Sequence, residues 1–124
     1  MERLLLVFAA GGLGALARFG LTTVVQRGTD GNFPWGILVV NATGCLFFGL
    51  VYSLIEDRGY FSPDARVVIL IGFAGAFTTF STFAFDNVQM ARASEWGRFA
   101  ANMTLTNVGG LVFIYAGFRL ARIF

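Results

Sequence analysis

The stretch that decides the fold is GFAGAFTTFSTF, Gly72 to Phe83. It lies inside Val67 to Phe85, a run of nineteen residues without a charge. At about 1.5 Å of rise per residue, a helix of that length crosses a hydrocarbon core of about 30 Å. As a membrane helix it is poorly made. Gly72 and Gly75 interrupt the phenylalanines, and Thr78, Thr79, Ser81 and Thr82 place hydroxyls near its middle. Glycine and threonine are weak helix formers. Non-helical backbone at membrane depth is tolerated only where protein or a water-filled cavity receives its freed polar groups. The stretch therefore predicts a third span broken in the middle, and it marks the functional centre of the chain.

Outward from this stretch, the 124 residues are 56% hydrophobic with 16 Gly and 15 Phe, and the apolar residues are gathered in runs too long for a soluble core of this size. Residues 1–124 read as a single all-α membrane domain. The other runs are Leu4 to Val25, broken only by Arg18, then Gly36 to Ile55 and Phe99 to Phe118. Leu4 to Leu16 has the length of a signal-peptide core, with a small-x-small site at Ala15-Leu16-Ala17. Glu2 cancels Arg3, and apolar residues resume after Arg18, so the run is expected to be retained as a span. With His absent, haem ligation by His and a His-based metal site are excluded. Cys45 has no partner for an intrachain disulfide. A net charge of +2 suggests neither a nucleic-acid footprint nor a polybasic lipid anchor.

Between the runs, Gln26 to Phe33 is a polar turn whose short reach returns the second span antiparallel to the first. Pro34 opens the second helix, with Trp35 at interface depth. Ser62-Pro63-Asp64 is a start signal for the third span. Asp86 and Asn87 mark its exit, with Val88 to Ala93 as an extension, and Trp96 again sits at an interface. Four spans put Arg3, Arg58, Arg66, Arg119 and Arg122 on one side and Arg27, Arg92 and Arg98 on the other. So small a bias permits either insertion direction, and a chain that inserts both ways can form an antiparallel dimer.

Four constellations could carry chemistry. At about 3.6 residues per turn Phe73, Phe77 and Phe80 form one stripe, continued by Phe83. Such a stripe is core or lipid-facing packing, or, beside hydroxyls, a set of positive ring edges for a small anion. Asn41 offers amide donors at membrane depth, for an anion or for an interhelical hydrogen bond. Asn102, Thr106 and Gly110 make a polar line at i, i+4, i+8 on the last span, with Thr104 and Asn107 on another face. Arg18 either snorkels towards the nearby helix end or supplies positive charge at an anion vestibule. No acid lies within the four runs, and no nucleophile set, carboxylate pair or phosphate loop can be assembled, so no enzymatic chemistry has a candidate.

These residues resemble the Fluc fluoride channels, also called CrcB proteins, over nearly the whole chain. The resemblance is carried by GGLGALARFG around Arg18, PWGILVVNATG from Pro34 to Gly44, and GFAGAFTTFSTF. It implies a dual-topology antiparallel homodimer in the cell inner membrane, passive fluoride conduction through two pores, and a central sodium ion held by backbone carbonyls. Carried over by position, Gly75 and Thr78 would supply the sodium carbonyls, and Phe80 and Phe83 the ring edges. Asn41 would be a pore amide and Arg18 a vestibule charge. Ser81 and Thr82 would line the crossing region, and Asn102, Thr106 and Gly110 the fourth-span track. The chain departs from relatives that have Tyr and Ser at the first and last of those track positions. Ile37 replaces a common threonine, and Asp86 stands where Glu is frequent. The rival is a small multidrug-type proton-coupled exporter, against which the lack of a membrane-embedded carboxylate speaks.

Overall fold

The computed structural model describes every residue except Asp30, which belongs to the polar turn after the first span and lies outside the described residues. Among the described residues, four helices are long and apolar enough to cross a membrane: Glu2–Arg27, Trp35–Glu56, Pro63–Arg92 and Trp96–Ile123. The chain is a multi-pass membrane protein. The first two spans are α1, Glu2–Arg27, and α2, Trp35–Glu56. The third comprises α3, Pro63–Arg66, a π-helical segment, Val67–Ala74, then α4, Gly75–Phe77, and α5, Phe80–Arg92. The last is α6, Trp96–Leu120, finished by a 3-10 turn, Ala121–Ile123.

Helix starts follow local chemistry. The Ser62 hydroxyl accepts from the Ala65 amide at 3.2 Å, with Pro63 in the first turn, as the start signal predicts. Pro34 sits one place earlier than expected, capping α2 rather than opening it. There α1 helps: the Gln26 amide donates to the Phe33 carbonyl at 3.0 Å and accepts from the Gly36 amide at 3.1 Å. One free donor of the α2 N-terminus is thereby satisfied.

Direction can be read from neighbours. Val7 and Ala10 meet Gly72 while Gly14 meets Phe73 and Ala76, so α1 and the third span run parallel. Cys45 meets Gly110, and Gly49 meets Ile114, so α2 and α6 are also parallel to each other. Both closures use glycine. A Cβ on Gly49 would run into the Ile114 carbonyl, and one on Gly117 into the Leu46 carbonyl, so the two backbones approach as only small residues allow. At the same end, Arg58 donates to the Arg122 carbonyl at 3.0 Å and Tyr60 to the Phe124 carbonyl at 2.8 Å. Arg3 pairs there with Asp64 at 3.4 Å. The outer faces are apolar: Leu4, Phe8, Leu16 and Phe19 of α1 and Leu111 and Tyr115 of α6 are exposed, as lipid-facing side chains are.

In the π-helical segment the Gly75 amide reaches back five residues to the Leu70 carbonyl. Such wide turns are rare and concentrate at functional sites. This one delivers the chain to the threonines of the opening stretch.

Candidate functional site

After Phe77 the backbone leaves the helix. Thr78 has φ −81° and ψ 158°, Thr79 has φ −148° and ψ 118°, and α5 begins at Phe80. The amide and hydroxyl of Thr78 both donate to the Ala74 carbonyl at 3.0 Å. The Thr79 hydroxyl caps α5 by accepting from the Thr82 amide at 3.3 Å, an N-cap of the usual Ser/Thr kind. Asn41 holds Thr79 from α2 with two hydrogen bonds. Its Nδ2 donates to the Thr79 carbonyl at 3.1 Å, and its Oδ1 accepts from the Thr79 amide at 2.9 Å. That amide would otherwise close the helical ladder on the Gly75 carbonyl. Gly44, one turn along α2 from Asn41, makes room, since a Cβ there would collide with the Thr78 methyl group.

Beside these residues lies a cavity of about 340 Å³ lined by Asn41, Thr78, Phe80, Phe83 and Thr106. All five were singled out in the sequence. Asn41 keeps a second Nδ2 proton free of Thr79, while the Thr106 hydroxyl borders the cavity with its one proton given to Asn102 Oδ1. The Phe80 and Phe83 rings are tilted by 52° with centroids 5.8 Å apart. Phe83 is buried, whereas Phe80 is 78% exposed in the single chain.

The single phenylalanine stripe is corrected. Phe73 and Phe77 stack at 5.9 Å, Phe80 pairs with Phe83, and the extended residues Thr78 and Thr79 separate the pairs. Helical spacing was extended across backbone that is not helical.

Other expected residues lie elsewhere. Thr82 lines a second, larger cavity of about 630 Å³ together with Thr22, Ile37, Asp86, Gln89 and Met90. Ser81 is exposed, with its hydroxyl 3.3 Å from that of Thr79. Asn102 is 1% exposed and does not line the smaller cavity; it accepts from the Thr106 hydroxyl at 3.3 Å. Asn107 lines that cavity instead. One residue is about 100° around a helix, and the close seam between α2 and α6 fixes which side of Thr106 faces inward. Gly110 lies against that seam, where an added Cβ would be 3.5 Å from Cys45 Sγ. Arg18 is half-buried, lines neither cavity and makes no hydrogen bond or ion pair among the described residues. Gly75 is exposed.

Sequence reasoning missed Thr79 as the residue Asn41 grips. The helix runs past Asp86 and Asn87 to Arg92, within the Val88 to Ala93 extension, but Asn87, read as an exit residue, is only 4% exposed. The i, i+4, i+7 spacing of Phe83, Asn87 and Met90 is the signal that could have found Asn87.

These features define a small polytopic membrane protein with a largely apolar cavity, bearing a few polar groups, among its spans. The family model described as CrcB-like protein, Camphor Resistance (CrcB), matches residues 5–118. The chain belongs to this CrcB family. It is 43% identical over 99% of both chains to a protein of Nitratidesulfovibrio vulgaris strain Miyazaki F named Fluoride-specific ion channel FluC. Proteins of the same name from Nitrosococcus oceani and Maridesulfovibrio salexigens are 42% and 40% identical over at least 98% of each chain.

Proposed function

We propose that the chain is a fluoride-selective channel through which fluoride leaves the cell passively across the inner membrane. It works as an antiparallel dual-topology homodimer with two pores. The observation that carries this reading is the convergence of the Asn41 amide, the Thr106 hydroxyl and the Phe80 and Phe83 rings on one cavity. Fluoride is small and strongly hydrated, so a path must replace its water with donors, and a narrow bore disfavours larger halides. Amide N–H and ring edges are such donors, and the Thr106 hydroxyl becomes one when it turns away from Asn102. The names of the relatives support the same reading.

The dimer reading is supported by the near-balanced arginines and by the exposure of Ile71, Gly75 and Phe80 on the third span. In an antiparallel pair this exposed surface would meet its symmetry mate. A central sodium ion fits the donors there. The Thr79 amide is turned to Asn41 and away from the Gly75 carbonyl, and Gly75 has no side chain to block approach. The carbonyls of Gly75 and Thr78, two from each subunit, would hold it. Neutral oxygens suit a monovalent hard ion, since a divalent one would recruit carboxylates. When bound it would supply fixed positive charge that offsets the desolvation of a passing anion. Thr82 and Arg18 are assigned to the approaches, and Ser81 to the crossing region. Asn102 and Gly110 are assigned to the support of Thr106.

The test is anion efflux from liposomes reconstituted with purified protein, comparing fluoride with chloride, with and without an imposed proton gradient. Fluoride efflux at least about a hundredfold above chloride, indifferent to the gradient, is expected. Equal halide rates or proton-driven flux would overturn the reading. Forcing a single orientation by moving Arg119 and Arg122 to the loop after α1 tests the dimer, since activity should then return only with an oppositely biased partner.

A further inference from the structure

α5 buries one face made of Phe83, Asn87 and Met90. Phe83 lines the cavity at the break and Met90 the larger cavity, so Asn87 stands between the two. α5 packs mainly on α6 and α2, and the one buried side chain that α6 contributes besides Gly117 is Asn102. Phe83 and Thr106 share the smaller cavity. α5 and α6 are joined by a tight turn at Ser94, where the Glu95 amide closes on the Met90 carbonyl at 2.8 Å. One helical turn towards that connection from Phe83 is Asn87, and one turn from Thr106 is Asn102, so the two amides share the next level of the hairpin.

Each amide is half used. Asn87 Nδ2 donates to the Phe83 carbonyl at 2.8 Å, and Asn102 Oδ1 accepts from Thr106. The other ends, Asn87 Oδ1 and Asn102 Nδ2, are buried with no hydrogen-bond partner among the described residues. One is an acceptor and the other a donor. A buried polar group left unpaired is costly, and a bridging water is the usual remedy where the surroundings are polar.

We propose that Asn87 and Asn102 hold one ordered water between α5 and α6, and that Asn87 is thereby a positioning residue for the anion path. The water accepts from Asn102 Nδ2 and donates one proton to Asn87 Oδ1, which leaves its second proton to donate. A bare carbonyl oxygen so near the path would oppose an anion, whereas the water converts it to a donor. The same bridge fixes the Asn102 amide, and with it the Thr106 hydroxyl. The consequence for conduction rests on the fluoride-channel reading; the water itself does not.

The experiment combines a high-resolution structure of the purified protein, a thermal-stability cycle on Asn87→Leu, Asn102→Leu and the double variant, and fluoride efflux from liposomes. Water density within hydrogen-bond distance of both amides is expected. Each single leucine should lower the melting temperature, and the double variant should lower it by less than the sum, because neither orphan then remains. Asn87→Leu should slow fluoride efflux at least about tenfold. Asn87→Ser keeps an acceptor and room for the water, and should stay within about threefold of wild type. No density between the amides, or strictly additive melting shifts, would overturn the water site. A folded Asn87→Leu protein that conducts like wild type would overturn the positioning role. If Asn87→Leu fails to fold, a slow Asn87→Ser variant would also overturn it. A wild-type protein that passes no fluoride would sink the channel reading instead, and the density and the cycle would still decide the water.

Discussion

Before the break, the third span is apolar from Val67 to Ala74, wound as a π-helix and packed along α1; after it, α5 carries Ser81, Thr82, Asp86 and Asn87 and borders a cavity at each end of its buried face. The first half fixes position through close contacts such as Gly72 on Val7. The second half meets fewer neighbours and presents polar groups. Phenylalanines occur in both, so composition alone does not distinguish them. The difference comes from the two extended threonines, which let α5 face a direction that a continuous helix would have denied it. A membrane helix can thus be scaffold on one side of a break and lining on the other, provided something outside it holds the break.

Asn41 is that holder, and removing it should erase the difference between the halves. Asn41→Leu strands a buried amide and carbonyl at Thr79, each costing about 1–3 kcal/mol. Fluoride efflux should fall at least about a hundredfold. Near-normal efflux would mean the break holds itself. Gly44→Ala pushes a methyl group into Thr78 and Phe77 and should cost about 1–3 kcal/mol through overpacking, read as a lower melting temperature in detergent. An unchanged melting point would show that Thr78 moves freely. Phe83→Ile and Phe80→Ile keep apolar bulk and remove the ring edges; efflux should fall about tenfold in each while the fold persists. Retained efflux in both would return the rings to simple packing. The smallest effect belongs to the scaffold half. Ser62→Ala removes the cap at its start, for about 1 kcal/mol, and should leave efflux unchanged. A loss of conduction there would show that the halves are coupled after all.

Much of this was legible in the sequence. The apolar runs gave the spans, and the glycines and threonines of Gly72 to Phe83 located the irregular backbone. Asn41, Phe80, Phe83 and Thr106 come from three different spans and still meet at one cavity. What could not be read depended on rotation and partner choice. Helical periodicity places residues correctly only within one unbroken helix, so the four-membered phenylalanine stripe failed at Thr78. Asn102 and Asn107 are equally polar. Which of them faces the cavity is set by how closely Gly110 and Gly117 let α6 seat on α2, a packing result that spacing along α6 does not contain. Asn87 beside Asp86 looked like a helix exit because both are polar, and only the burial given by α6 and α2 separates them.

The parallel seam between α2 and α6 bears on how the chain is made. Gly49 waits for Ile114, and Leu46 for Gly117, partners more than sixty residues downstream. During synthesis α2 enters the membrane with its glycine face unpartnered, and the third span must follow before α6 arrives. Loop closures over such separations are slow. The last helix to emerge therefore completes the seam that the second began, and until it docks neither Tyr60 nor Arg58 has its carbonyl partner. Assembly of this small protein is thus timed by its final span, and nascent chains stalled before Gly110 should expose the α2 glycine face to quality-control proteases.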